Sequence, residues 1–293
     1  MNNRFHGIIP YLVSPINQNN GEIKVEVLNE LVEDLIKEGV HGLSPLGSTG
    51  EVHYLTIKQK NEIVRNTVNI TNGRVPVIPG VSAYSTNEAL EQINTFEKIG
   101  VDGIVLILNT YFKLTEKDIL SFFKTVARSV SCPIVLYNNP KYNGVDLTPE
   151  LVIELSSESN IQYFKDATGN TGRLLSIINK AGNNINIFSA SAHIPSVVMN
   201  MGGVGWMSGP SCIFPKLSVQ LYDFIQSNNI SKSREIQKQL WEINEFFQQY
   251  TLSAVIKAGL EIKGYQVGDP IHPLKSLDKK ERKKLKEVID KLS

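Results

Sequence analysis

The sequence contains little cysteine and almost no net charge. Only Cys132 and Cys212 occur among its 293 residues, far apart and without CxxC spacing. This excludes a disulfide framework and is typical of a protein that works in the cytoplasm. Thirty Lys and Arg residues balance 29 Asp and Glu residues, which gives a formal net charge of +1. Because a nucleic-acid-binding protein usually has a basic excess, we expect no nucleic-acid partner.

Long hydrophobic runs are also absent. No apolar stretch approaches the roughly 18 residues that a membrane span needs, and the N-terminal segment lacks the pattern of a signal peptide. We therefore expect no membrane partner and a cytoplasmic location. The five histidines show neither HxH nor HExxH spacing, so no metal site is predicted and a zinc-dependent aldolase is disfavoured. The remaining classes are a small-molecule enzyme and a small-molecule binding protein.

The chain contains short runs rich in Val and Ile that alternate with amphipathic helical stretches. The strand candidates are residues 7–16, 42–46, 76–81, 103–108, 133–138, 161–166, 185–191 and 204–208. Eight such units predict an α/β protein of the (β/α)8 TIM-barrel class. A doubly wound sheet shares the alternation, but no GxGxxG motif follows the first strand. We predict a catalytic barrel over residues 1–230 and a C-terminal helical extension over 231–293.

Lys165 is an unusual residue for its position, because it lies inside the apolar strand candidate 161–166. If its side chain points into the barrel, desolvation lowers its pKa and produces a neutral amine that can attack a carbonyl group. If Asp166 points inward instead, Lys165 lies at the rim and pairs there, since side chains alternate along a strand. The strand pattern alone leaves both orientations open.

Two other segments end strand candidates with polar residues. The turn Gly-Ser-Thr-Gly-Glu at residues 47–51 offers N–H and hydroxyl donors that suit a carboxylate or phosphate, although an ordinary capped turn has the same composition. Tyr137 begins a Tyr-Asn-Asn-Pro segment next to the strand of Lys165. Its hydroxyl can shuttle a proton, but a buried core tyrosine is equally compatible with the pattern.

The motifs GSTGE, YNNP and FKDATGN, in this order, resemble the dihydrodipicolinate synthase / N-acetylneuraminate lyase family of pyruvate-dependent class I aldolases. The resemblance implies that Lys165 forms a Schiff base with pyruvate or another 2-oxo acid and that Tyr137 relays protons. It implies that Thr49 binds the 2-oxo acid carboxylate and that Ser48 links to Tyr137. It further implies no cofactor beyond the covalent imine, and a homo-oligomer, either a tetramer or a dimer.

The resemblance also suggests substrate-binding positions, and several of them depart from the family pattern. They are Gly47, Ala190, Met207, Tyr142 and Tyr111. Met207 matches a position whose carbonyl lies near the lysine, whereas Ala190 replaces a glycine. Tyr142 stands where dihydrodipicolinate synthases carry an arginine that holds the second substrate's carboxylate. Tyr111 is followed by a phenylalanine where those synthases have a second tyrosine.

These departures concern the second substrate rather than the 2-oxo acid. They favour a lyase that cleaves, condenses or dehydrates a 2-keto-3-deoxy sugar acid, with a 2-oxo acid and an aldehyde as its small-molecule partners. One alternative is 4-hydroxy-tetrahydrodipicolinate synthase, which joins pyruvate to aspartate semialdehyde in lysine biosynthesis. The other is a barrel that binds a 2-oxo acid without catalysis.

Overall fold

A curled sheet of seven parallel strands forms the centre of the molecule. The computed structural model describes residues 4–190 and 194–292. The strands are β1 (Gly7–Pro10), β2 (Gly80–Ala83), β3 (Ile104–Leu108), β4 (Ile134–Asn138), β5 (Ile161–Asp166), β6 (Asn186–Ser189) and β7 (Gly205–Ser208). Their order is β1-β7-β6-β5-β4-β3-β2, with every neighbouring pair parallel.

The predicted second strand, residues 42–46, closes the gap between β1 and β2. It joins its neighbours only through isolated parallel bridges, Tyr11 with Ser44 on one side and Leu43 with Val77 on the other. Backbone hydrogen bonds of 2.8–3.0 Å accompany both bridges. Seven regular strands and one bridged segment therefore surround the axis, and the predicted TIM barrel is confirmed.

Backbone chemistry explains why this segment is not a regular strand. Pro45 has no N–H group to donate to a ladder, and Leu46 has a left-handed φ of 63°, which ends the extended conformation. Prolines also shorten two other predicted strands. The first strand ends at Pro10 rather than at residue 16, and the predicted strand 76–81 is regular only from Gly80, after Pro76 and Pro79.

Helices surround the barrel and cover its carboxyl end. In the described residues the helices are α1 (Val25–Lys37), α2 (Ile57–Thr71), α3 (Thr86–Ile99), α4 (Glu116–Ser129), α5 (Pro140–Asn143), α6 (Pro149–Leu155), α7 (Thr171–Ala181), α8 (Pro195–Asn200), α9 (Pro215–Gln226), α10 (Ile230–Gln249), α11 (Leu252–Ile262) and α12 (Lys279–Leu292). Thr56 and Thr115 form capping boxes at α2 and α4. No helix among residues 4–190 and 194–292 is both long and apolar enough to cross a bilayer.

The core has two layers, one between the strands and the helices and one inside the barrel. The interior layer consists of Phe5, Ile9, Tyr11, Ile78, Val105, Ile107, Val135, Tyr137, Tyr163, Phe188 and Met207. Along β5, Lys165 is paired with Tyr137 of β4 and with Phe188 of β6. Since both partners belong to the interior layer, Lys165 shares that face and points into the barrel.

Candidate active site

A cavity of about 410 Å³ opens at the carboxyl ends of the strands, where TIM-barrel active sites lie. Its lining residues are Tyr11, Gly47, Ser48, Thr49, Ile107, Tyr137, Asn139, Lys141, Tyr142, Lys165, Ala167, Ala190, Met207, Gly209, Pro210, Asn244, Phe247, Gln248 and Leu252. Eight of the nine site residues predicted from the sequence meet in this one cavity. The ninth, Tyr111, does not line it.

Lys165 lies at the bottom of the cavity and is only 6% exposed. Its Nζ lies 3.9 Å from the ring centroid of Tyr11 and 4.3 Å from that of Tyr137. In the described part of the chain no carboxylate forms an ion pair with it. Burial lowers the pKa of Lys165 to about 7, because desolvation disfavours the ammonium form. A substantial fraction of this amine is therefore neutral and nucleophilic at neutral pH.

Asp166, the next residue on β5, lies on the other face of the strand. Its carboxylate accepts hydrogen bonds from Asn138 Nδ2 at 2.8 Å and from the Thr168 hydroxyl at 2.5 Å. Burial raises the pKa of Asp166, and these hydrogen bonds oppose the effect. The orientation with Asp166 inward and Lys165 at the rim does not occur.

Tyr137 is positioned on β4 directly beside Lys165. Its hydroxyl accepts a hydrogen bond from Asn139 Nδ2 at 2.8 Å. Burial raises the pKa of Tyr137, with a smaller opposing effect from Asn139 and Ser48. The phenol therefore keeps its proton at neutral pH and can exchange it with a group bound over Lys165.

The 47–51 turn lies against the first strand and holds Ser48 and Thr49 at the edge of the cavity. A Cβ on Gly47 would lie 2.1 Å from the Tyr11 ring, so only glycine fits there. The Thr49 hydroxyl packs closely against Gly209, where a Cβ would lie 2.6 Å from Oγ1. Two close contacts thus fix a turn whose N–H and O–H groups can bind an anionic oxygen.

The sequence did not identify the ion pair that anchors this turn. Glu51 Oε2 lies 2.6 Å from Lys257 Nζ, and the two side chains are 0% and 1% exposed. Glu51 Oε1 accepts the Ile271 N–H at 2.7 Å, and Lys257 Nζ donates to the Asp269 carbonyl at 3.0 Å. The signal for this pair is Lys257 itself, the single lysine of the predominantly apolar helix α11.

The sequence also missed Tyr11 and the residues that α10 and α11 contribute. Tyr11 directly follows β1, and its ring centroid lies 3.9 Å from Lys165 Nζ. Four residues of the C-terminal helices form the outer wall, namely Asn244, Phe247, Gln248 and Leu252. The alternation along the first strand could have identified Tyr11, but no local pattern relates α10 to the barrel.

The remaining predicted site residues differ in how deeply their side chains are buried. Met207 on β7 is fully buried, and the Ala190 carbonyl accepts the Trp206 indole N–H at 3.4 Å. Tyr142 lies on α5 at the cavity mouth and is 64% exposed. Tyr111 is 87% exposed and packs edge to face on Phe112, with 5.0 Å between ring centroids.

The acidic, cysteine and histidine side chains do not gather into a metal centre in the described part of the chain. No group of three or more of them is arranged to hold an ion there. The polar groups that line the cavity are the amines of Lys165 and Lys141, phenols, hydroxyls and amides.

The sequence profile of the Dihydrodipicolinate synthetase family matches residues 4–292. The 4-hydroxy-tetrahydrodipicolinate synthase of Methanopyrus kandleri is 31% identical over 290 residues, covering 99% of this chain and 97% of that protein. The enzyme of the same name from Magnetococcus marinus is 32% identical over 289 residues, covering 99% and 98%.

Solved structures agree with this assignment. A prophage protein of the dihydrodipicolinic acid synthase family from E. coli K12, crystallised with pyruvate, has a TM-score of 0.92 at 32% identity, covering 98% of both chains. A dihydrodipicolinate synthase from Aquifex aeolicus has a TM-score of 0.94 at 27% identity, also covering 98% of both. The expected resemblance and the expected lyase class are confirmed. The chain belongs to the dihydrodipicolinate synthetase family.

Proposed function

We propose that the protein is a lyase in which Lys165 forms a Schiff base with pyruvate or a related 2-oxo acid. One observation carries the proposal: the Lys165 amine is buried between two aromatic rings, faces the cavity and has no ion-pair partner among the described residues. An ordinary lysine is only roughly 0.04% neutral at pH 7. With a pKa of about 7, about half of Lys165 is neutral.

The residues around Lys165 suit each step of imine formation. The Nζ lone pair attacks the C2 carbonyl carbon of the 2-oxo acid, and the C2 oxygen leaves as water after it gains protons. Tyr137 is the proton relay, since its ring centroid lies 4.3 Å from the amine and its hydroxyl is kept protonated by burial. Thr49 and the backbone of its turn bind the carboxylate. The covalent imine replaces a cofactor.

The protonated imine then accepts the electrons of a C–C bond. In a 2-keto-3-deoxy sugar acid, the C3–C4 bond breaks, the C4 hydroxyl loses its proton, and an aldehyde leaves. The electron pair remains on the pyruvate carbons as an enamine. Protonation of C3 and hydrolysis of the imine release pyruvate and regenerate Lys165. The reverse sequence condenses pyruvate with the aldehyde.

A 2-keto-3-deoxy sugar acid is the proposed substrate because the outer cavity is lined mainly by neutral polar groups, with Lys141 as its one cation among the described residues. Asn244, Gln248 and Tyr142 stand there, and no arginine lines the cavity in the described residues. Hydroxyl groups can both donate to and accept from such side chains. The second candidate is 4-hydroxy-tetrahydrodipicolinate synthase, the name that relatives of 31–32% identity carry. Tyr142 cannot supply the bidentate grip that a substrate carboxylate receives from arginine.

We also propose that residues 231–293 complete the catalytic barrel of residues 1–230, because α10 and α11 supply part of the cavity wall. A cytoplasmic homo-oligomer is part of the proposal. The exposed aromatic pair Tyr111 and Phe112 supports self-association, because such side chains are commonly covered by a partner.

Trapping with borohydride tests the Schiff base. The protein is incubated with pyruvate and borohydride, digested, and analysed by mass spectrometry, with a pyruvate-free sample and the Lys165→Arg variant as controls. We expect one reduced adduct, on the peptide that contains Lys165. No adduct, or an adduct on another lysine, contradicts the proposal.

Turnover assays then separate the candidate reactions. Pyruvate release is measured with 2-keto-3-deoxygluconate and its stereoisomers, and pyruvate consumption with aspartate semialdehyde. We expect turnover of a sugar acid. Activity with aspartate semialdehyde alone supports the synthase, whereas an adduct without any turnover supports a binding barrel.

A further inference from the structure

One face of α10 forms the wall of the cavity that lies opposite the barrel. Asn244 and Gln248 both line the cavity, and they are four residues apart in this helix. Side chains at i and i+4 lie above one another on the same helix face, with Cβ atoms about 5–6 Å apart. The helix therefore presents two neighbouring amides toward the space above Lys165.

Asn244 has an unused hydrogen-bond donor. Its side chain is 5% exposed, and in the described part of the chain its Nδ2 has no hydrogen-bond partner. Buried amide groups without a hydrogen-bond partner are uncommon in native structures, and each needs an explanation. Nδ2 itself is not open to the cavity surface, so a ligand that fills the cavity supplies the missing acceptor once the amide rotates toward it.

The chemistry of this wall selects a hydroxylated chain over an anion. Each amide offers both a carbonyl acceptor and an N–H donor, which matches a hydroxyl group. Phe247 and Leu252 beside them provide an apolar surface for the C–H groups of the same chain. The cations that line the cavity, Lys165 and Lys141, lie outside α10.

We propose that Asn244 and Gln248 form the subsite that recognises the distal hydroxyl groups of the sugar-acid substrate. The proposal rests on the proposed function, since the sugar acid is the substrate inferred there. The barrel side binds the carboxylate and C2 through the 47–51 turn and Lys165. The α10 side binds the hydroxyls beyond the bond that breaks, and thus sets the length and stereochemistry of the accepted aldehyde.

The test replaces each amide with leucine, as Asn244→Leu and Gln248→Leu. The matched control is Gln249→Leu, the same residue type on the same helix, exposed and outside the cavity lining. We expect kcat/KM for 2-keto-3-deoxygluconate to fall about 5- to 30-fold in Asn244→Leu, as for one lost hydrogen bond. Gln248→Leu lowers it less, because that side chain is exposed, and the control leaves it unchanged.

Two further measurements identify the role as recognition of the distal hydroxyl. The rate of the pyruvate–borohydride adduct on Lys165 stays within about twofold of wild type in all variants, because the proposed subsite contacts only the part of the substrate beyond pyruvate. With a substrate shorter by one hydroxylated carbon, the loss caused by Asn244→Leu disappears. A structural defect would instead reduce the adduct rate and both substrates together.

The outcomes separate this proposal from the proposed function. If wild-type protein cleaves the sugar acid and both leucine variants match it, the subsite is wrong and the function stands. If wild-type protein forms the adduct but cleaves no sugar acid, both the substrate and the subsite are wrong. Because Gln248 is exposed, its variant is expected to fold, so the measurement does not depend on Asn244→Leu alone.

Discussion

Lys165 and Lys257 are both more than nine-tenths buried, yet their surroundings differ in one respect. Lys257 Nζ lies 2.6 Å from the Glu51 carboxylate and donates to a backbone carbonyl. Lys165 Nζ lies over the rings of Tyr11 and Tyr137, without a carboxylate in contact. Burial lowers the pKa of both amines, but for Lys257 the attraction and hydrogen bond of Glu51 oppose the effect.

The difference shows that burial alone does not make a lysine a nucleophile. A buried amine beside a carboxylate is held as a cation and joins two parts of the chain, here the 47–51 turn and α11. A buried amine without a carboxylate partner loses its proton readily, because desolvation disfavours the ammonium form, and becomes reactive. The two sites also depend on each other, because the Glu51–Lys257 pair anchors the turn that carries Ser48 and Thr49.

Replacing Lys165 should give the largest effect of all, confined to activity. In Lys165→Met we expect turnover to fall by at least about 10³-fold, as for loss of a covalent nucleophile. The thermal midpoint should stay the same or rise, because an apolar chain replaces an unpaired buried amine. Turnover and a circular dichroism melt, run on the same preparation, check both parts. Turnover near the wild-type level would contradict the assigned nucleophile.

Replacing Lys257 should produce the opposite pattern. Lys257→Met leaves the Glu51 carboxylate buried without its cation, which typically destabilises a protein by about 3–5 kcal/mol. A lower urea midpoint than wild type checks this prediction. The double variant Glu51→Gln with Lys257→Met removes the orphaned charge and should recover part of the loss. A single variant as stable as wild type would show that the pair does not anchor the turn.

The same two lysines show what could be predicted from the sequence. Lys165 is recognisable because a charged residue interrupts a strand-like apolar run, and flanking motifs mark the carboxyl ends of strands. Whether Lys165 or Asp166 faces inward depends on the register with β4 and β6, which a single strand does not contain. The partners Glu51 and Lys257 are far apart in the sequence and meet only after the barrel closes.

Other differences have equally local causes. The alternation of strands and helices predicted the barrel, but Pro45 and Leu46 prevent the second strand from forming a regular ladder. Asn244 could not be identified, because the amphipathic pattern of α10 shows which face is buried and not what that face meets. Tyr111 is highly exposed and lies outside the cavity lining, so its predicted contact with substrate stays a prediction.

The smallest effect, and the most specific for the comparison, is the pH dependence of imine formation. Lys165 reacts as the neutral amine, and its lowered pKa of about 7 puts the loss of the proton in the neutral range. Below this pKa the neutral fraction, and hence the rate of adduct formation, should rise about tenfold per pH unit. Above about pH 8 the rate should level off, since the amine is already neutral. For an amine with an ordinary lysine pKa the rise would continue to about pH 10.

The measurement mixes the protein with limiting pyruvate for a fixed short time at each pH from 5.5 to 9. Each sample is then quenched into borohydride at one common pH. Only imine formation, and not its reduction, therefore takes place at the pH that is varied. Peptide mapping follows Lys165 and Lys257 in the same digest. We expect label on Lys165 alone, because Lys257 is fully buried and bound to Glu51. A rate that keeps rising through pH 9 would mean that burial does not lower the pKa of Lys165. Label on Lys257 would show that the Glu51 contact does not keep that amine from reacting.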